Sequence, residues 1–300
     1  MQADAVENQS EFRGPGRVRY TWFRLQRDWS SGLLGVVALA VVAGAIFAIA
    51  TSPNVRWIQV GHYLASGQIM QGVTVTIELT FICMSLGIGL AVILASMRIS
   101  RNRILRSVSA TYVWFFRGTP LLVQLIFWYN IALFVPQVSL FGASVSMNTI
   151  ISPLTAAVLG LSLNAAAYMA EIVRSGIISV DRGQTEAALA LGFTPRQTLV
   201  KIVLPQVTRV IVPPTANQTI DMFKATSLCS VIGTGDLLAR AENIYSQNFL
   251  VIELLFVACF WYLLITTVAT FVQGLLERRL ALSVGHGAER KVSMEVHHAA

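Results

Sequence analysis

Charge is scarce in this sequence. Asp, Glu, Lys and Arg make up 12% of its 300 residues, about half the share of an ordinary soluble domain. So little charge cannot cover a normal water-facing surface, which points to a membrane protein. Cysteine is also scarce. Cys83, Cys229 and Cys259 fall in or beside apolar segments, and their odd number and spacing fit no metal motif. They read as small buried hydrophobes. The four histidines offer no zinc site: His286, His297 and His298 lie in the polar C-terminal segment and His62 in a polar connector. No G-x-x-x-x-G-K-[ST] stretch occurs, so this chain carries no phosphate-binding P-loop. No nucleophile–base set and no large extramembrane domain can be read. The chain is therefore expected not to be an enzyme, and to bind no metal or cofactor of its own.

Hydrophobic residues, by contrast, make up 55% of the chain, and its mean hydropathy is +0.64. Residues 33–50, LLGVVALAVVAGAIFAIA, hold no charge and no strong helix breaker. At about 1.5 Å per residue they nearly span a hydrocarbon core of about 30 Å. This segment is too far from residue 1, and followed by too little of a cleavage pattern, to read as a signal peptide. Six spans are expected, at 32–51, 71–96, 108–134, 153–173, 207–233 and 249–273. The fold class is accordingly an all-α integral membrane protein with about six transmembrane helices.

The basic residues orient these spans. Eighteen of the 22 fall on one face: the N-terminal tail, the 98–106 loop, the 174–209 loop and the C-terminal tail. The opposite face keeps Arg56 and Arg240. The positive-inside rule makes the rich face cytoplasmic, with both termini inside. Tyr20, Trp22 and Trp29 on one side, and Trp57, Tyr63, Trp128 and Tyr129 on the other, suit interfacial belts. The net charge of +7 follows from this pattern. No basic run lines a polar face, so nucleic acid is not an expected partner.

One cytoplasmic loop reads as folded: TEAALALGFTPRQTLVKIVLPQ, residues 185–206. Asp181 and Gln184 can cap a first helix, and Gly192 stands where a glycine would end it. Thr194, Pro195 and Gln197 supply N-cap, N1 and N3 of a second helix. Pro205 marks an end or kink at the membrane edge. Ala187, Ala188 and Ala190 form a small-residue surface, and Glu186 a single charge beside it. Such a hairpin either packs on its own bundle or docks a cytoplasmic partner.

Glu186-Ala187-Ala188, Gly192, Ile202 and Leu204-Pro205 resemble the EAA motif of membrane subunits of bacterial ABC importers. Three further segments resemble the polar amino acid uptake branch of that family. They are Arg117 to Gln124 (RGTPLLVQ), Ala167 to Ile177 (AYMAEIVRSGI), and Lys224 to Leu228 followed by Ser230-Val231-Ile232. The resemblance runs from about Gly72 to Leu280. It implies a five-helix permease core at 70–280, an added N-terminal helix at 32–51, and cytoplasmic tails at 1–31 and 281–300. It also implies coupling helices around Glu186, Ala187, Ala188, Gly192, Ile202, Leu204 and Pro205 that seat in an ATPase subunit. The implied partners are two ATPase subunits carrying ATP and Mg, a second permease chain (identical or similar), a solute-binding protein outside, and membrane lipid. The implied location is the bacterial cytoplasmic (inner) membrane. One departure is Asn164-Ala165, where members often carry Asn-Glu.

Ionisable groups inside hydrocarbon tend to face a bundle interior or a wet cavity. Glu78, Arg117, Asp221 and Lys224 are such groups here, and Thr119, Gln124 and Asn164 are polar neighbours in the same spans. Asp221 and Lys224 stand three residues apart, a spacing that permits a pair. Gly118-Thr119-Pro120 should break the third span, and Pro213-Pro214 the fifth. These seven residues either line a path suited to a zwitterionic amino acid or serve packing alone. A secondary transporter is the rival reading. It would predict internal repeats, which are not evident, and it gives no reason for the capped hairpin. A receptor without transport leaves the Arg117 and Lys224 segments unexplained. Residues 233–238, GTGDLL, read as an outer turn.

Overall fold

The computed structural model describes residues 29–140 and 143–298, with side chains for 34–139 and 144–279. Most of the expected N-terminal tail, residues 1–28, lies outside the described residues, as do residues 141–142 and 299–300. The chain divides into two units, Met1–Val55 and Arg56–Ala300. In the first, helix α1 (Trp29–Ala50) is apolar on all sides, with Leu34, Leu39 and Phe47 exposed. A helix without a polar face suits hydrocarbon rather than water. The Thr51 hydroxyl donates to the Phe47 carbonyl near its end.

The second unit opens with α2 (Trp57–Leu64) and α3 (Gly67–Ile99). Ser66 caps α3 by accepting from the Ile69 N–H. Its 33 residues make about 50 Å of helix, more than a hydrocarbon core needs. After Ser100 the chain turns into α4 (Arg103–Gly118), capped by Asn102, then α5 (Leu121–Tyr129). The expected third span is thus two helices, split at Thr119-Pro120. A small antiparallel hairpin follows, β1 (Gln137–Leu140) paired with β2 (Ala143–Ser146), then α6 (Met147–Ile150). This hairpin is a minor departure from the all-α expectation. The central helix α7 (Pro153–Ile178) starts at a Ser152 cap with Pro153 in its first turn. Next come α8 (Arg182–Ala190) and α9 (Pro195–Thr198), then a π-helical turn over Leu199–Val203. Helix α10 (Leu204–Ala225) continues as a 3-10 stretch over Thr226–Ile232. α11 (Leu237–Asn248) and α12 (Val251–His298) complete the chain. α12 continues through the stretch expected as a polar C-terminal tail.

Two expectations for the fifth span need correction. The chain neither ends nor breaks at Pro205, which sits in the first turn of α10, and Pro213 and Pro214 lie inside that continuous helix. Each internal proline removes one ladder donor, so the carbonyls of Arg209 and Val210 lose their partners four residues on. The helix survives because the bonds on either side persist. The Thr208 hydroxyl donates to Leu204 O and the Thr215 hydroxyl to Ile211 O.

Small residues let α7 lie close to α3 and α5. Ala156, Ala157, Leu161, Ala165 and Ala166 are fully buried on α7. A Cβ on Gly87 of α3 would stand 2.9 Å from the Ala165 Cβ, and one on Gly160 would stand 2.8 Å from a Leu125 methyl. Close approach through small side chains is the usual means of packing helices in lipid, where the hydrophobic effect gives no drive. A second cluster joins α2, α3, α11 and α12 through Ile69, Leu237, Leu254 and Val257. The Arg56 N–H donates to the buried Glu253 carboxylate at 3.0 Å. Glu253 thus ties α12 to the start of α2.

Gly72 sits where α3 crosses the start of α11. A Cβ there would fall 2.8 Å from the Leu237 Cα and 3.2 Å from the Asp236 carbonyl. Backbone cannot move aside as a side chain can. Gly72→Val is therefore expected to destabilise the protein by about 1–3 kcal/mol, seen as a lower thermal midpoint in detergent.

Among the described residues, three helices are long and apolar enough to cross a membrane: Gly67–Ile99, Pro153–Ile178 and Val251–Arg279. The apolar part of α1, Leu34–Ala50, is shorter. Many large apolar side chains on these helices stand exposed, as surfaces in hydrocarbon can.

Candidate functional site

The 181–206 loop folds as a hairpin of two capped helices. The Asp181 Oδ1 accepts the Gly183 N–H and opens α8. At its other end Gly192 takes a left-handed φ of +82°. The Gly192 N–H donates to Leu189 O and the Phe193 N–H to Ala188 O. This pair of bonds is a Schellman motif, and only glycine adopts its turn without strain. The next helix begins one residue later with a complete capping box. The Gln197 N–H donates to Thr194 Oγ1, and the Thr194 N–H to Gln197 Oε1 at 2.9 Å. The Lys201 ammonium lies 5.8 Å from the Phe193 ring centroid.

Glu186, Ala187 and Ala190 stand exposed on α8, whereas Ala188 is buried. Ala188 therefore does not belong to the outward small-residue surface expected of it. Its backbone carbonyl also closes the helix end. Leu191, at the tip, is 79% exposed, and Leu189 is exposed too. Sequence reasoning missed both; the signal was two leucines flanking a helix-ending glycine on a polar loop. Ile202 is half-buried, and Leu204 and Pro205 are exposed where the π turn passes into α10. From Pro195 to Ala225 the chain is helical without interruption, about 45 Å of continuous rod.

Three of the expected path residues form one network at the α4–α5 break. A helix end leaves carbonyls without partners, and the buried Gln124 and Asn164 supply them here. The Gln124 amide nitrogen donates to Phe116 O at 3.0 Å, Thr119 O at 3.1 Å and Thr119 Oγ1 at 2.6 Å. The Asn164 amide nitrogen donates to Phe116 O at 3.0 Å and to Gln124 Oε1 at 3.2 Å. Tyr112 adds a bond from α4 to Leu163 O. The Arg117 guanidinium lies 5.1 Å from the Tyr168 ring centroid on α7. Ala165 is fully buried against Gly87 of α3.

The remaining charges lie apart from this network. Asp221 and Lys224 form an ion pair of 2.7 Å on α10, their side chains 61% and 59% exposed. They border a cavity of about 540 Å³ shared with Asn217, Gln273 and Glu277. Gln273 donates to both Asn217 Oδ1 and Glu277 Oε1. Glu78 is exposed on α3 and makes no ion pair among the described residues. No group of three His, Cys, Asp or Glu side chains among the described residues could hold a metal.

The 233–238 turn is more than a connector. Gly233 and Gly235 take left-handed φ values, and Asp236 caps α11 from a fully buried position. Its carboxylate accepts from the Thr234 hydroxyl and the Leu238 N–H. Burial pushes the Asp236 carboxyl above its ordinary range, against the pull of those bonds.

Comparison with known proteins fits this geometry. The profile of the family "Binding-protein-dependent transport system inner membrane component" matches residues 87–282, and the chain belongs to that family. The chain is 39% identical over 244 residues to the arginine transport system permease protein ArgU of Corynebacterium glutamicum, covering 81% of this chain and 77% of that protein. It is 39% identical to the L-cystine transport system permease protein TcyB of Bacillus subtilis, over 70% of this chain and 85% of that one. Among solved structures it resembles the crystal structure of an amino acid ABC transporter with histidines. The TM-score is 0.62 and the identity 33%, over 71% of this chain and 94% of that chain. The protein is thus a multi-pass inner-membrane permease subunit of an ABC importer, a class whose members are not themselves catalytic.

Proposed function

We propose that this permease carries a polar amino acid into the cytoplasm, driven by ATP hydrolysed on separate subunits that grip the α8–α9 hairpin. The observation that carries this reading is the rigid connection from that hairpin into the membrane. Two capped turns fix its shape, and an unbroken helix leads from Pro195 to the Asp221–Lys224 pair. Force applied at Glu186, Ala187, Leu189 and Leu191 would move α10 as a lever, opening the bundle to one side and then the other. The hairpin lies on the side that the charge distribution assigns to the cytoplasm, together with both termini.

The assembly this implies has two ATPase subunits holding ATP and Mg, a second permease chain, and a solute-binding protein outside. The relatives' named cargoes, arginine and cystine, agree with an amino acid as the substrate class. The Asp221–Lys224 cavity offers both charge signs with amide neighbours, a setting for a zwitterion. Glu78 and Arg117 are further candidate path residues, while Gln124, Thr119 and Asn164 support the α4–α5 break.

Uptake of a panel of labelled amino acids, in cells with and without the gene, tests this function. Loss of one or a few polar amino acids is the expected result, and an unchanged panel would refute it. Asp221→Asn with Lys224→Met is expected to lower uptake about tenfold or more and to change the preference among charged and neutral cargoes. Unchanged rate and preference would make the pair structural.

A further inference from the structure

The cytoplasmic ends of four helices converge on a cavity of about 750 Å³ lined by five arginines: Arg98, Arg103, Arg106, Arg174 and Arg182. No acidic side chain lines it. Glu171, one turn before Arg174, pairs with that arginine, the Arg174 Nε lying 3.0 Å from each carboxylate oxygen. No other ion pair among the described residues reaches the remaining four.

The placement of two of them is unfavourable in isolation. Arg103 and Arg106 lie in the first turn of α4, which has no acidic residue there, whereas Arg182 opens α8 beside the Asp181 carboxylate that caps it. A helix N-terminus carries partial positive charge, which favours anions and opposes cations. The α4 N-terminus and five guanidinium groups, one of them paired with Glu171, make a net positive hollow, and Arg reads phosphate in a bidentate way. The rim is apolar: Ile99 is 42% exposed and Ile178 60% exposed. Both stand where α3 and α7 leave their apolar stretches. The site therefore meets the bilayer at the boundary between headgroups and acyl chains.

We propose that this cavity binds the phosphate headgroup of an anionic phospholipid of the cytoplasmic leaflet, with Ile99 and Ile178 against the start of its acyl chains. A lipid held there bridges α3, α4 and α7 to Arg182, the first residue of the coupling helix α8. Its presence braces the hairpin against the bundle, and transport depends on the anionic lipid content of the membrane.

The test uses the permease–ATPase complex in nanodiscs of phosphatidylcholine, with or without a minor fraction of phosphatidylglycerol. Native mass spectrometry reads retained lipid. The wild-type complex is expected to retain phosphatidylglycerol selectively. Arg103→Gln/Arg106→Gln/Arg182→Gln is expected to lose roughly 10²-fold of that retention, at roughly fivefold per arginine. The corresponding triple lysine variant, which keeps the charge but not the bidentate geometry, is expected to fall between the two. Should the triple glutamine variant not fold, Arg106→Gln alone carries the test with a loss of roughly fivefold. Equal retention by wild type and variants would overturn the proposal. So would displacement of the lipid by inorganic phosphate, which marks a site for a soluble anion. Loss of ATPase co-purification with lipid retention unchanged would do the same, because the arginines would then contact a protein. Lipid retention is independent of cargo and of ATP coupling, so its failure leaves the proposed function intact.

Discussion

Glu186→Arg combined with Gly192→Leu is expected to uncouple this permease from ATP. Gly192 holds a φ of +82°, and a leucine there costs about 1–2 kcal/mol in backbone strain. The penalty falls on the turn that fixes α8 against α9, so the hairpin loses its angle before it loses its helices. Glu186 is exposed in the isolated chain and beside the exposed Leu189 and Leu191. An exposed carboxylate on the docking helix suits an interface with a positive counterpart. Reversing such a charge on docking is expected to weaken association with the ATPase subunit by about 10²-fold or more. The checks are co-purification of the ATPase and ATP-driven uptake, with circular dichroism to confirm that the spans remain folded. Both activities should fall together. Uptake that survives alongside intact co-purification would remove the hairpin from the mechanism.

The second large effect is expected at Gln124. Gln124→Leu keeps the side-chain size but removes donors to Phe116 O, Thr119 O and Thr119 Oγ1, and the acceptor for Asn164. Leaving buried polar groups unpaired at the α4–α5 break is expected to cost about 3 kcal/mol. Asn164→Leu should cost less, because Asn164 makes two of these bonds whereas Gln124 makes three and accepts a fourth; Phe116 O keeps one donor in either variant. The measurement is the thermal midpoint of the purified complex, set against uptake of several amino acids. A large stability loss with unchanged preference among cargoes places Gln124 in the scaffold. A changed preference at full stability would place it against the substrate instead.

Much of this was legible in the sequence because local rules governed it. Thr194 and Gln197 specify a capping box that tertiary packing has no reason to override, and Gly192 specifies a left-handed turn. Gly118-Thr119-Pro120 announced the break in the third span for the same reason, and the three-residue spacing of Asp221 and Lys224 announced their pair. What escaped depended on long-range contacts. The inward turn of Ala188 follows from the hairpin's packing, not from its own identity. Pro213-Pro214 read as a break, yet the bonds around them keep α10 whole. Gln124 and Asn164 read as polar groups that either line a path or serve packing; that they complete a helix end forty residues apart is a tertiary fact. The arginines around the 750 Å³ cavity were visible only as a count for topology, because four helices must meet before they become a site.

The most direct test of the central claim is uptake into proteoliposomes containing this permease, its ATPase subunits and its solute-binding protein. Labelled amino acid is supplied on the binding-protein side and ATP with Mg on the other. Accumulation is expected only with ATP, and the Glu186→Arg/Gly192→Leu variant should abolish it. Accumulation driven by an ion gradient without ATP, or ATP-driven accumulation unaffected by that variant, would contradict the account.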